Sequence, residues 1–254
     1  MKVVILSGGF GTRIPEYTSV IPKPMIRIAG KPIIEHIMEI YSKYGHKDFY
    51  LALGYKAENI KEYFYNYGVL NSNFKVNLSN GEVTPFEKLK KDWEINLINT
   101  GINTMTGGRL KRLKEYIGDE TFLLTYGDAV TKLNINEGLK IHQSQGKMVT
   151  VTGVRPPARF GVIKIKGNIV QYFREKNSLD AGWINGGFFV VEPKFFDFIP
   201  DKNVMLERDP IENLTKNSEV MAYKHSGFWQ CMDTMRDKVL LEKLYSKGAP
   251  WIKV

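Results

Sequence analysis

Gly8-Gly9-Phe10-Gly11-Thr12-Arg13 follows an apolar, β-branched run, Val3-Val4-Ile5, at the start of a 254-residue chain. A run of that kind breaking into glycines reads as a buried strand feeding a tight turn. Leu6 and Ser7 lead into the turn, and its glycines let the backbone approach a ligand with N–H groups free to point at it. Thr12 adds a hydroxyl and Arg13 a rigid cationic fork. The chemistry is anion binding at the carboxyl end of a strand. Pro22-Lys23-Pro24 then holds a lysine between two prolines. Proline fixes its own φ and biases the preceding residue to extended geometry, so Lys23 is expected on a stiff, exposed segment that contributes little to folding. A point charge held beside an anion loop suits a phosphoryl group. An ordinary strand–turn would carry the same glycines; Thr12, Arg13 and Lys23 turn the reading towards phosphate. Neither the NTPase pattern Gly-x-x-x-x-Gly-Lys-Ser/Thr nor the dinucleotide pattern Gly-x-Gly-x-x-Gly occurs.

Two carboxylates follow apolar runs. Asp128 comes after Phe122–Tyr126 and Gly127, and Asp233 after Gly227-Phe228-Trp229-Gln230-Cys231-Met232. Magnesium keeps several waters and takes one or two carboxylates plus substrate phosphates, so two aspartates are sufficient for a metal site. The alternatives are a turn-forming Gly-Asp at 128 and the N-cap of the last helix at 233. Thr104-Met105-Thr106-Gly107-Gly108-Arg109 is a second glycine-bearing loop. Its hydroxyls and free amides suit a base edge and Arg109 a phosphate; on these residues alone, a helix N-terminus with a solvated basic face is the simpler account. Glu175-Lys176 and Trp183-Ile184-Asn185-Gly186-Gly187 converge from two strand ends, which suits sugar hydroxyls, or a bulged hairpin. His36, His46, His142 and His225 lie away from these motifs, and Cys231 reads as a buried filler.

The elements that must position these groups alternate. Helical periodicity runs from Pro32 to Gly45 and over 56–67, 108–117 and 134–145, and strand patterns fall at 49–53, 74–78, 95–99, 122–126 and 148–154. Alternation of this kind predicts an α/β fold with a mostly parallel sheet and helices on both faces, ligands binding beyond the carboxyl ends of the strands. From about 155 short strands at 160–166, 168–174 and 184–192 predict antiparallel pairing, with Gly167-Asn168 as a hairpin turn, before helices at 207–216 and 234–246. No linker interrupts the pattern, so one domain is expected.

The formal net charge is +9, with basic residues scattered and densest only from Arg109 to Lys114. That fits a lysine-rich surface, or steering of nucleotides, better than a nucleic-acid interface. One cysteine excludes an internal disulfide, and no apolar run approaches a membrane span. A soluble cytoplasmic protein with no membrane or nucleic-acid partner is expected.

Together these residues resemble the sugar-phosphate nucleotidylyltransferases, whose signature is Gly-Gly-x-Gly-Thr-Arg followed by Pro-Lys-Pro. The similarity runs from Met1 to about Trp251. It is greatest to members that use CTP, on Met105–Arg112, Thr125-Tyr126-Gly127-Asp128, Ile184–Phe189 and Gly227–Gln230. The resemblance implies a Rossmann-like, three-layer core over about 1–150 and an antiparallel sugar-binding portion over about 151–254, within one nucleotidyltransferase domain. It implies transfer of a cytidylyl group from CTP to a sugar 1-phosphate, with Arg13, Lys23 and Asp128 catalytic. The nucleotide would be held by Leu6, Ser7, Gly8, Gly9, Phe10, Gly11, Thr12, Arg13, Lys23, Thr104, Arg109, Gly127 and Asp128. The sugar phosphate would be held by Tyr126, Glu175, Lys176, Asn185 and Gly186, and Mg2+ by Asp128 and Asp233. A homo-oligomer serving surface-polysaccharide synthesis is also implied. Ala129, Ala158, Asn177 and Pro15 depart from the pattern, and the changes at 158 and 177 flank the sugar side. Within the enzyme class the alternatives are UTP or dTTP as the nucleotide, or another phosphorylated acceptor; the rival from another class is a non-catalytic nucleotide- or RNA-binding regulatory module that uses the basic helix after Gly108.

Overall fold

A computed structural model of the chain describes residues 1–87, 91–156, 162–174 and 182–252. The first apolar run is the strand Lys2–Leu6, and its side chains alternate between two separate cores. Val3 and Ile5 pack with Ile33, Ile37 and Leu241 on one face; Val4 and Leu6 pack with Leu110, Ile117 and Leu214 on the other. A period of two that feeds two cores requires helices on both faces, hence three layers.

The central sheet has seven strands in the order Val220–His225, Val149–Val154, Ile184–Val191, Phe122–Tyr126, Lys2–Leu6, Asp48–Leu53 and Glu94–Asn99. Ile184–Val191 is antiparallel to both neighbours, and the remaining pairs are parallel. The carboxyl ends of six strands and the amino end of Ile184–Val191 therefore share one edge. The glycine loop, Gly54, Thr100, Gly127-Asp128 and Asn185-Gly186 all lie along it. This is the α/β, mostly parallel arrangement that the alternation predicts, and the Rossmann-like core that the resemblance implies. Strands from before and after residue 150 join in one sheet.

Several elements differ from the sequence reading. The expected strand at 74–78 is Phe74–Val76, paired with Val83–Pro85 outside the central sheet. The helix expected over 108–117 is two short ones, Thr106–Lys111 and Lys114–Ile117. Lys23 does not lie in extended backbone: Lys23–Met25 is a 3-10 turn after an extended Pro22. The strand Val220–His225 and the ladder between Ala129–Thr131 and Trp229–Cys231 have no counterpart in the sequence pattern. The antiparallel hairpin of Val162–Lys166 and Ile169–Arg174 turns at Gly167, whose φ of +59° suits glycine. No helix among the described residues is long and apolar enough to cross a membrane.

The histidines are structural. His36 Nε2 lies 3.0 Å from the Ile28 carbonyl oxygen, and Trp251 Nε1 donates to His36 Nδ1 at 3.3 Å, an arrangement only the neutral ring satisfies. Burial, the largest influence, holds His36, His46 and His225 below the ordinary histidine value. A depressed folded-state pKa means that the contribution to stability is complete above the unfolded value, near 6.5, and is lost as pH falls below it. The melting temperature is therefore expected to fall between pH 7.5 and 5.5, and to fall less in His36→Gln. Thermal unfolding across that range checks this; a melting temperature that rises on acidification contradicts it.

Candidate active site

The glycine loop is fixed through its carbonyls and leaves its amides unspent. Tyr55 N donates to Gly8 O at 3.0 Å, and Ile14 N and Thr18 Oγ1 both donate to Gly11 O at 3.1 Å. The backbone N–H groups from Gly8 to Arg13 find no acceptor among the described residues. Consecutive unpaired amides are the requirement for holding an anion. Gly11 has φ +65°, and a Cβ there would lie 2.6 Å from Thr18 Cγ2, so the turn needs glycine. Phe10 is exposed and packs on Tyr55, with ring centroids 5.2 Å apart.

Arg109 lies beneath this loop. It is only 3 % exposed. Nη1 donates to Leu53 O, Thr100 Oγ1 and Gly101 O, and Nη2 to Gly8 O and Ile102 O, at 2.7–3.0 Å. A Cβ on Gly8 or Gly54 would meet the guanidinium at 2.2 or 2.3 Å. The expectation that Arg109 reaches a phosphate or the base is thus replaced by a clamp that ties three strand-end loops together. The amides expected to be free in the second loop are also largely spent. Met105 N donates to Asn203 Oδ1 at 2.6 Å, and Gly107 N and Gly108 N to Val204 O. The Thr104 carbonyl and hydroxyl keep no partner among the described residues. Three cations of the basic helix have partners within the chain: Lys111 donates to Phe196 O and Ile199 O, Arg112 to Thr100 O, and Lys114 pairs with Asp197.

The two aspartates meet because of the short ladder. Cys231 pairs with Ala129, and Met232 N donates to Asp128 O at 2.8 Å, which sets Asp233 beside Asp128. Thr234, not Asp233, caps the last helix, in a reciprocal box with Asp237, so the Asp233 carboxylate is released from capping. Lys23 Nζ bridges the pair, 2.6 Å from Asp128 Oδ2 and 2.6 Å from Asp233 Oδ1. The lysine expected to be exposed is 8 % exposed. Burial alone would lower its pKa, but Asp128 and Asp233 outweigh burial and raise it. Burial would likewise raise Asp233, but Lys23 and Arg13 hold it below the usual carboxylate range. Arg13 Nη1 reaches Asp233 Oδ2 at 2.6 Å from an exposed position, so this contact closes the loop without adding much stability.

A cavity of about 610 Å³ opens beside this cluster, lined among others by Arg13, Tyr126, Asp128, Asn185, Gly186 and Asp233. Tyr126 and Asn185 share this cavity wall, with Asn185 Nδ2 3.5 Å from the Tyr126 hydroxyl. Gly186 O accepts from Trp229 Nε1 at 2.8 Å. Glu175, Lys176, Ala158 and Asn177 lie outside the described residues. Gln230 and Arg236 also line the cavity; Arg236 belongs to no motif of the sequence, and its signal is the last helix opening directly after Asp233. Cys231, expected to be buried, is half-buried and lines the cavity, where burial, then Asp233, pushes its thiol up to about 12.

A family model described as nucleotidyl transferase matches residues 2–234. The chain is 47 % identical over 253 residues to the glucose-1-phosphate cytidylyltransferase of Salmonella typhimurium, covering 99 % of this chain and 98 % of that one. It is 45 % identical over 255 residues to a probable glucose-1-phosphate cytidylyltransferase of Bacillus subtilis, covering both chains fully. Among solved structures, HddC from Yersinia pseudotuberculosis superposes with a TM-score of 0.69 at 25 % identity, over 96 % of this chain and 99 % of that one.

Proposed function

The chain belongs to the nucleotidyl transferase family, and from that premise we propose that it transfers a cytidylyl group from CTP to glucose 1-phosphate, giving CDP-glucose and pyrophosphate. The observation that carries the reading is one ammonium, Lys23, set between two carboxylates beside a loop of unpaired amides. An oxygen of the sugar phosphate attacks the α-phosphorus of CTP in line, and pyrophosphate leaves. That nucleophile is already anionic, so the protein must align and neutralise rather than remove a proton. Amides from Gly8 to Arg13 cradle the triphosphate, Lys23 and Arg13 oppose its charge, and Arg109 holds the cradle in place. Tyr126, Asn185 and Gly186 face the sugar phosphate, with Glu175 and Lys176 assigned there by the resemblance.

Members of the family use a divalent metal. Two carboxylates converging on one cation fit Mg2+, and no group of three or more metal-ligating side chains exists among the described residues. Asp128 and Asp233 would hold the ion, which when bound offsets phosphate charge. The resemblance also supports a cytoplasmic homo-oligomer, a nucleotide portion over about 1–150 and a sugar portion over about 151–254.

Cytosine presents an amine where uracil presents an oxygen, so a site that reads that edge needs an acceptor. The unpartnered Thr104 carbonyl supplies one. Discrimination of at least about tenfold in kcat/KM for CTP over UTP and dTTP is expected, equivalent to about 1.4 kcal/mol. Kinetics with each triphosphate against glucose 1-phosphate measure it. Equal use of CTP and UTP would remove the cytidylyl assignment and leave the reaction type standing.

A further inference from the structure

Glu207 sits outside every motif of the sequence, yet it joins two walls of the cleft. Its Oε1 accepts from the Tyr126 hydroxyl and its Oε2 from Thr106 Oγ1 at 2.8 Å. Thr106 Oγ1 accepts in turn from Leu206 N at 2.8 Å. Thr106 opens the helix that carries Arg109, the clamp under the glycine loop. Tyr126 ends the strand before Gly127-Asp128. Its ring lies where a Cβ on Gly187 would come within 2.6 Å, and it meets Phe189 edge-on with centroids 5.9 Å apart.

Packing of this kind fixes the ring but not the hydroxyl proton. A phenol has one proton to give. With the Glu207 carboxylate taking it, the Tyr126 oxygen keeps only lone pairs for Asn185 and the cavity.

We propose that Glu207 is a positioning residue for the sugar phosphate, holding Tyr126 as an obligate hydrogen-bond acceptor for a sugar hydroxyl. Glu207 touches no reacting atom; it acts through Tyr126, and through Thr106 it ties this wall to the nucleotide side. The inference rests on the cytidylyltransfer reading.

The test is a cycle of Glu207→Leu, Tyr126→Phe and the double variant, with KM measured separately for CTP and glucose 1-phosphate. Each single variant is expected to raise the sugar-phosphate KM about tenfold, with kcat and the CTP KM within about threefold, the loss of one hydrogen bond being of that order. The double variant should be no worse than either single one. Single variants whose sugar-phosphate KM stays at the wild-type value overturn the proposal, as do single effects that multiply in the double. A merely structural role would lower the melting temperature without this split. If Glu207→Leu does not fold, Tyr126→Phe alone decides on the same criterion. Wild-type protein that turns over neither substrate sinks the reaction assigned above; normal wild-type turnover with an unmoved KM in the variants sinks only the role of Glu207.

Discussion

Asp128→Asn and Asp233→Asn each lower turnover by about 10³-fold or more, while the protein stays folded. The magnitude follows from the proposed metal site, where each substitution would remove one of two carboxylates holding a cation worth several kcal/mol at the transition state. Each substitution is nearly isosteric, and each leaves Lys23 paired with the remaining carboxylate, so the fold survives. Arg13 also loses its partner in Asp233→Asn, but that exposed contact adds little stability. Steady-state rates over a magnesium titration, beside circular dichroism, make the comparison. Near-normal turnover of both variants at saturating magnesium would remove the carboxylates from the mechanism.

Lys23→Ala acts twice. Turnover falls by about 10²- to 10³-fold, if loss of one charge-stabilising donor is the guide. Stability falls as well, because the substitution leaves Asp128 and Asp233 side by side without their shared cation. Breaking a fully buried pair costs about 3–5 kcal/mol; these carboxylates keep partial access to water, so about 1–3 kcal/mol is expected. That is the reverse of what an exposed lysine would do. Denaturant unfolding beside steady-state kinetics separates the two effects. Unchanged stability would mean that the bridge carries no weight; unchanged turnover would mean that the ammonium does not meet a phosphate.

The parts of the site legible in the sequence are those encoded locally. A β-branched run breaking into Gly8-Gly9-Phe10-Gly11 announces its strand and loop within a dozen residues, and Asp128 follows its strand as visibly. What the sequence hid depends on distant partners. The pairing of Asp128 with Asp233 comes from two strands of three residues each, too short for any periodicity to register. Prolines around Lys23 signal stiffness, but nothing local says that two carboxylates will fold over its amine. Arg109 shares a stretch with Lys111, Arg112 and Lys114 that reads as a solvated face; burial arises because carbonyls from three loops converge on it. Val220–His225 mixes Met, Ala and Lys on a sheet edge, where β-propensity is weak. Glu207 belongs to the same class, since its hydroxyl partners lie far away in sequence.

The most direct test of the central claim is product formation by the purified chain with CTP, glucose 1-phosphate and Mg2+. CDP-glucose and pyrophosphate are expected to appear in equal amounts, and neither should form when the sugar phosphate is omitted. Binding of CTP with no release of pyrophosphate at any sugar-phosphate concentration would contradict the account.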